Sequence, residues 1–279
     1  MPLSSASFLN AIERLIAGSG AAAVSLAVHD LRTGDELLLR ADESFHAAST
    51  FKVCVMMEAY HQAQAGMLSL EERLAVRNEF PSLADGSPFS LSVDDDGETD
   101  LYGHLGESLP LRDLVRRMII SSSNLATNLL VERLGAERIN AFMLALGVQG
   151  LMVRRGVEDN KAYALGLNNT ATAGGLMQVL VRLAERKVVS AQASDEMIDI
   201  LKQQYYNEGI PAGLPKHVVV AHKTGWNDKL YHDAAIVFPH GRPPYVLVVM
   251  TRGLPEEKEA PALVASLAGT IQARLAAKP

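Results

Sequence analysis

The sequence predicts a mixed α/β (α+β) protein with an antiparallel sheet of about five strands that come from both ends of the chain. Strand-like segments occur near both termini, and the segments between them have helical spacing of apolar residues. We expect helices to cover the sheet and the middle of the chain to form an inserted all-helical lobe. The predicted domains are a sheet domain of residues 1–45 and 195–279 and a helical domain of residues 46–194, with the active site in the cleft between them.

The individual elements follow from the spacing of apolar residues. Residues 8–17 have helical spacing, and residues 23–40 predict a hairpin around the glycine-containing turn "LRTGDE". From residue 50 to about residue 183 the pattern is mostly helical. Three strand segments then follow, "HVVVAHKTG", "HDAAIVFP" and "YVLVVMTRG", before a last helix, "APALVASLAGTIQARLAA".

Composition excludes several classes of protein. The 279 residues are 48% hydrophobic and 21% charged, which is ordinary for a globular protein with a large core. A net charge of −6 argues against nucleic acid or an anionic membrane as a partner. The single cysteine, Cys54, cannot form an internal disulfide, and its apolar surroundings predict a buried, unreactive thiol.

Neither a cofactor nor a metal is predicted. The acidic segment "SVDDDGETD" (92–100) lacks the closing glutamate of a calcium loop and is expected to be solvated, and the histidines form no zinc pattern. The N-terminus predicts an amphipathic helix rather than a secretory signal, and no apolar run is long enough to span a membrane. We expect a monomer with no membrane partner, cytoplasmic as the sequence stands, or periplasmic or secreted if a signal was removed.

Three short motifs carry the chemistry: "STFK" (49–52), "SSN" (122–124) and "KTG" (223–225). Alone, the first would be a capped helix with a snorkelling lysine and the second a polar turn. Together they match the S-x-x-K, S-D-N and K-T-G set of penicillin-interacting serine enzymes, except that Ser123 stands where the second motif has Asp.

The first motif suits nucleophilic catalysis. Ser49 occupies a predicted helix N-cap, where backbone N–H groups stabilise an oxyanion. Lys52 follows one turn later on the same face. Because burial and the positive end of the helix favour the neutral amine, Lys52 is a candidate base that activates Ser49.

On these motifs the sequence resembles the class A β-lactamases and related β-lactamase-like serine hydrolases over most of its length. The resemblance implies that Ser122 relays a proton to the leaving amine and that Asn124 binds a substrate amide. The substrate itself would be a small β-lactam or another ester or amide.

The third motif and its neighbours are implied to bind that substrate. Lys223 and Thr224 would hold a substrate carboxylate, and Gly225 would let the ligand approach the strand edge closely. By the same resemblance, the backbone N–H of Trp226 belongs to the oxyanion hole together with that of Ser49. Tyr102 is implied as a residue on the rim of the site.

Glu158 is the candidate base for deacylation. It follows Ser122 by 36 residues, the interval expected from the resemblance. The family pattern E-x-x-L-N reads "EDNKA" here, so Ala162 stands where an asparagine would help to hold the water. An alternative is that Glu158 pairs with Arg154 or Arg155 and only fixes the loop.

A second departure concerns the substrate carboxylate. Many class A enzymes have an arginine on the strand after the third motif, whereas this chain has "NDKLYHDAA" there. Lys229 or His232 are the candidates to replace it.

The sequence predicts the first of the following three functions and leaves the other two open as alternatives. The first is a serine β-lactamase that acylates at Ser49 and deacylates through Glu158. The second is a carboxylesterase or a D-alanyl peptidase-like hydrolase, favoured by the missing asparagine and arginine. The third is a sensor that acylates without turning over.

Overall fold

A computed structural model describes residues 3, 5–227, 229–254 and 259–277 of the chain. The α-helices are, in chain order, α1 (Ala6–Gly18), α2 (Lys52–Gln64), α3 (Leu111–Ile120), α4 (Asn124–Leu134), α5 (Ala136–Ala145), α6 (Asn160–Ala164), α7 (Ala173–Ala184), α8 (Ala191–Leu201) and α9 (Glu259–Ala276). The strands are β1 (Ala23–Asp30), β2 (Glu36–Leu39), β3 (Phe45–His46), β4 (Arg73–Ala75), β5 (Phe80–Pro81), β6 (Pro88–Phe89), β7 (Ser108–Pro110), β8 (Leu151–Met152), β9 (Thr170–Ala171), β10 (Val219–Asn227), β11 (Leu230–Phe238) and β12 (Tyr245–Arg252). Short 3₁₀ helices cover Ala48–Phe51, Val93–Asp95, Asp100–His104 and Ile210–Gly213.

The chain divides into two compact units. The first, here called the sheet unit, comprises Met1–Thr50, Ala171–Glu185 and Tyr206–Pro279, and the second, the helical unit, comprises Phe51–Thr170 and Arg186–Tyr205. These bounds differ from the predicted domains mainly at two places. Helix α7 packs on β1, β11 and β12 and therefore belongs to the sheet unit, whereas residues 195–205, predicted in the sheet domain, belong to the helical unit. Apolar spacing identifies a helix but not the layer that the helix covers.

The sheet unit contains a five-stranded antiparallel sheet in the order β10-β11-β12-β1-β2. This confirms the prediction that strands from both chain ends share one sheet. The turn of the N-terminal hairpin forms because Asp30 accepts a hydrogen bond from the Arg32 N–H at 3.1 Å and Gly34 adopts φ +73°. Strand β10, which carries the third motif, lies at an edge, so this sheet pairs only one side of its backbone.

Helices cover the sheet as predicted. The core of the sheet unit joins apolar residues of α1 and α9 to alternate residues of β1, among them Val24, Leu26 and Val28. The intervening residues of β1 are buried too, and α7 contacts the same strand. Tyr245 of β12 ties the sheet to α9, because its hydroxyl donates to Gln272 Oε1 at 2.9 Å.

Helix α2 is the centre of the helical unit. Its residues from Lys52 to Tyr60 are all buried, because α3, α4, α5 and α8 pack around it. Cys54 has no exposed surface, and burial raises the pKa of its thiol to about 12. The predicted buried thiol is confirmed.

A break interrupts the helical pattern of residues 111–134. Helix α3 ends at Ile120 and α4 begins at Asn124. Between them, Ser122 has φ +62°, in the left-handed region that non-glycine residues rarely adopt. The second motif therefore forms a turn between two helices instead of lying within one helix.

The part of the chain that the structure describes has neither a membrane-spanning helix nor a cluster of metal-binding side chains. None of its helices is both long and apolar enough to cross a bilayer, and none of its His, Cys, Asp and Glu side chains form a group of three or more suited to a metal ion.

Candidate active site

Ser49 lies in a tight turn of the sheet unit. The 3₁₀ helix Ala48–Phe51 runs directly into α2, so Ser49 precedes Lys52 by about one helical turn along the chain. The N-cap of α2 is Phe51, which corrects the predicted N-cap position of Ser49. Both chain neighbours of Ser49 are buried, whereas Ser49 itself is partly exposed. The turn therefore leaves this one residue accessible.

Strand β10 approaches the Ser49 turn so closely that only glycine fits at position 225. A Cβ on Gly225 would lie 2.6 Å from Ser49 N and 3.0 Å from both Ala48 Cβ and Thr50 N. Backbone atoms would have to move to admit it. The strand edge and the Ser49 turn are thus held in backbone contact inside the sheet unit.

His232 supports the same turn and cannot bind a substrate carboxylate. Its Nδ1 accepts from the Thr251 N–H at 3.2 Å, so its Nε2 donates to the His46 carbonyl at 2.9 Å. His46 Nδ1 in turn accepts from the Ala48 N–H at 3.1 Å. Burial lowers the pKa of His232 to about 4, which keeps the ring neutral. The hypothesis that His232 replaces the missing arginine is wrong, and Lys229 stays a prediction.

Lys223 and Thr224 are fully buried on β10. Lys223 Nζ donates to the Thr224 carbonyl at 3.0 Å. The hydroxyl Oγ1 of Thr224 is buried and has no hydrogen-bond partner among the residues described. Because an unpaired buried hydroxyl is costly, this atom is a candidate to bind a polar ligand group.

The helical unit contributes a buried amine with three acceptors. Lys52 has no exposed surface, and its Nζ donates to the Ser122 carbonyl at 2.7 Å, to Asn124 Oδ1 at 2.8 Å and to Ser122 Oγ at 3.3 Å. Burial lowers the pKa of Lys52 to about 7, and the carboxylates of Asp96 and Glu158 oppose that decrease. An amine with this pKa is neutral often enough at pH 7 to accept a proton.

Glu158 joins this network through Asn124. Its Oε1 accepts from Asn124 Nδ2 at 2.7 Å and its Oε2 from the Ser92 N–H at 3.3 Å. Burial raises the pKa of its carboxyl, although both hydrogen bonds act in the opposite direction. Its backbone has φ +60°, an uncommon conformation of the kind that collects at functional sites.

The loop around Glu158 is fixed from both sides. Asn128 Oδ1 accepts from the Val157 N–H at 2.6 Å, and its Nδ2 donates to the Val157 carbonyl at 3.1 Å. Arg155 donates to the carbonyls of Gly156 and Leu167 and to Asn168. The partners of Glu158 are Asn124 and the Ser92 N–H, and within the described residues it makes no ion pair with either Arg154 or Arg155, so the alternative that Glu158 fixes the loop by such a pair is not supported.

Ala162 cannot hold a water by its side chain. It is fully buried in α6, and its N–H donates to Asp159 Oδ1 at 3.0 Å. The asparagine of the family pattern therefore has no counterpart at this position.

Tyr102 and Trp226 differ in accessibility: the hydroxyl of Tyr102 is hydrogen-bonded, whereas the side chain of Trp226 is partly exposed. The Tyr102 hydroxyl donates to Asp96 Oδ2 at 3.1 Å, and burial together with that carboxylate raises its pKa. Trp226 is 39% exposed, and its ring packs edge-on against Tyr206 with centroids 4.6 Å apart. Trp226 thus extends the accessible edge of β10, whereas the hydroxyl of Tyr102 is engaged within its own loop.

Asp96 is the residue of this site that sequence reasoning missed. The acidic segment 92–100 was expected to be solvated, but Asp96 is buried. Its Oδ1 and Oδ2 accept from the N–H groups of Asn124 and Leu125, both at 2.9 Å. No spacing along the chain signals this contact, because the partners lie 28 and 29 residues apart.

Comparison with known proteins adds relatives over nearly the whole chain. The model of the beta-lactamase enzyme family matches residues 7–275. Beta-lactamase L2 of Stenotrophomonas maltophilia is 26% identical over 278 residues, which cover 98% of this chain and 86% of that protein. The carbapenem-hydrolyzing beta-lactamase KPC of Klebsiella oxytoca is 28% identical over 248 residues, 86% of this chain and 79% of that one.

Solved structures show the same fold. A variant of the last common ancestor of the class A β-lactamases of Gram-negative bacteria superposes with a TM-score of 0.84 at 25% identity and covers 97% of this chain and 99% of that one. PBP-A gives a TM-score of 0.83 at 23% identity, covering 99% and 97%.

Proposed function

Because the chain belongs to the β-lactamase enzyme family, we propose that it is a serine hydrolase of the class A β-lactamase type, which opens a β-lactam amide through an acyl-enzyme on Ser49 and releases the product with water. The observation that carries the proposal is the buried Lys52 amine, whose pKa of about 7 suits a base and which follows the accessible Ser49 by one turn.

In the acylation step, neutral Lys52 removes the proton from Ser49 Oγ, and Oγ attacks the carbonyl carbon of the substrate. The backbone N–H groups of Ser49 and Trp226 donate hydrogen bonds to the carbonyl oxygen and stabilise the negative charge that develops on it. As the C–N bond breaks, the nitrogen takes a proton from Ser122 Oγ, which regains one from the Lys52 ammonium. Thr224 binds the substrate carboxylate.

In the deacylation step, Glu158 removes a proton from water, and the resulting oxygen attacks the ester carbonyl. Ser49 Oγ leaves and takes that proton back. Burial supports this role, because a carboxyl with a raised pKa is a stronger base than an ordinary one. Ala162 has no side-chain amide to hold the attacking water. This favours slow deacylation, as in an acylating sensor, as the second candidate function.

One experiment tests the proposal. The purified protein is mixed with a chromogenic cephalosporin and, separately, with a short-chain aryl ester, while turnover and intact mass are followed. Turnover of the cephalosporin is the expected result. Turnover of the ester alone would indicate an esterase instead, and a stable mass adduct without turnover would indicate an acylating sensor.

Two variants assign the steps. Ser49→Ala is expected to abolish adduct and turnover, whereas Ser44→Ala, an exposed serine in the same segment, leaves both unchanged. Glu158→Gln is expected to let the acyl-enzyme accumulate by slowing deacylation about 100-fold or more. Glu137→Gln, an exposed glutamate of α5, is the matched control. Unchanged turnover in Ser49→Ala would refute the mechanism.

A further inference from the structure

We propose that Asp96 is a positioning residue of this site: it supplies from a loop the carboxylate that the second motif ordinarily carries in its middle position, and so fixes Asn124 between Lys52 and Glu158. The inference rests on the proposed function and deepens it. It assigns a role to a side chain that lies 26 residues before Ser122 and outside all three motifs.

The first step of the argument is the start of α4. The first N–H groups of a helix have no partner inside the helix. Here Asp96 accepts those of Asn124 and Leu125 at 2.9 Å each, and the N-cap residue Ser123 accepts that of Ala126 at 3.2 Å. The first three N–H groups are therefore satisfied by one carboxylate and one hydroxyl.

The second step concerns what these contacts hold in place. Asn124 is the first residue of α4, and its side chain bridges the two catalytic candidates: Oδ1 accepts from Lys52 at 2.8 Å and Nδ2 donates to Glu158 at 2.7 Å. Since the backbone N–H of Asn124 is bound by Asp96, movement of Asp96 would change these two contacts and also the hydrogen bond from Asn124 Nδ2 to the Asp95 carbonyl at 3.3 Å. Ser123 cannot take over, because its hydroxyl is already bound to Ala126.

The third step is the fixation of Asp96 itself. Its Oδ2 also accepts from the Tyr102 hydroxyl at 3.1 Å, and its Oδ1 accepts from the Glu98 N–H at 3.1 Å. The side chain is 8% exposed. A carboxylate with four donors is held in one orientation, which is required of a group that positions another. Its charge also opposes the decrease in the pKa of Lys52 that burial causes.

The test compares Asp96→Asn with Asp94→Asn, a matched loss of charge at an exposed position of the same loop. The rate of acylation by a chromogenic cephalosporin is measured from the intact mass, and hydrogen exchange is followed in peptides that cover residues 121–130. Asp96→Asn is expected to slow acylation 10-fold to 100-fold and to speed exchange in the first turn of α4. Asp94→Asn is expected to change neither.

A carboxylate placed at the N-cap of α4 tests whether Asp96→Asn acts by loss of positioning or by a general loss of stability. In the Asp96→Asn background, Ser123→Asp is expected to raise the acylation rate at least 5-fold above that of Asp96→Asn alone. Acylation rates within twofold of each other in Asp96→Asn and Asp94→Asn would overturn the inference, as would slower acylation with unchanged exchange in α4. A wild-type protein that neither turns over the cephalosporin nor forms an adduct would instead overturn the proposed function.

Discussion

The two units contribute different kinds of group to the chemistry. In the helical unit, Lys52, Asn124 and Glu158 are joined by hydrogen bonds of 2.7 and 2.8 Å, so the atoms to which we assign proton transfer already have partners. In the sheet unit, Thr224 has a buried hydroxyl without a partner among the described residues. Groups that transfer protons have to be oriented in advance, whereas groups that bind a ligand must keep a donor or space free for it.

The largest effect should come from breaking the proton network of the helical unit. Lys52→Met removes the proposed base, so we expect acylation to slow about 10³-fold to 10⁴-fold. Lys52→Arg is the control that keeps the charge but does not lose a proton near pH 7. Adduct formation followed by intact mass measures both, and near-normal acylation in Lys52→Met would show that another group activates Ser49.

A second prediction concerns the support of the Ser49 turn in the sheet unit. The pKa of His232 is about 4 in the folded protein, below its ordinary value of 6.5, so the unfolded chain binds more protons between these values. Stability is therefore full above pH 6.5 and is lost as the pH falls toward 4, by about 3 kcal/mol. Urea unfolding of wild type and His232→Gln across this range measures the difference. Parallel pH profiles would contradict it.

The close approach of the strand edge gives a third prediction. Gly225→Ala puts a Cβ 2.6 Å from Ser49 N, and the required backbone shift should slow acylation about 100-fold. Gly18→Ala is the control, because a Cβ there would meet no atom within 4 Å. If Gly225→Ala acylates as fast as Gly18→Ala, the geometry of the turn does not matter for the reaction.

The smallest expected effect comes from removing the unpaired hydroxyl of Thr224, which can be compared with the paired hydroxyl of Thr251. Thr224→Val removes an unpartnered group, so we expect the free energy of unfolding to stay level or rise while KM increases about 10-fold. Thr251→Val removes a hydroxyl that donates to the Tyr231 carbonyl at 2.8 Å, and should destabilise the fold by about 1–3 kcal/mol. Equal destabilisation by both variants would mean that Thr224 is paired in the free protein.

The features that sequence predicts well here are local ones. The hairpin of β1 and β2 depends on Gly34 and Asp30 in its own turn, and the relation of Ser49 to Lys52 depends on three residues of spacing. Such features are encoded by neighbours along the chain, so periodicity and motif spacing suffice to find them.

The features that sequence missed depend on contacts through space. Asp96 reaches Asn124 across 28 residues, and α7 joins the sheet unit because of the strands it meets. The break at Ser122 was hidden because apolar spacing continues on both sides of it. The burial of His232 likewise depends on contacts with His46 and Thr251, which are distant along the chain and give no signal in the sequence.

Cys54 is a natural chemical probe for local opening of α2. It is the single thiol of the chain, it lies two residues after Lys52, and it has no exposed surface. A thiol reagent can reach it only when the helix leaves its packing, so the labelling rate in wild-type protein counts those openings without any engineered probe. Comparing that rate before and after acylation would report whether a bound acyl group tightens or loosens the helix that carries the base.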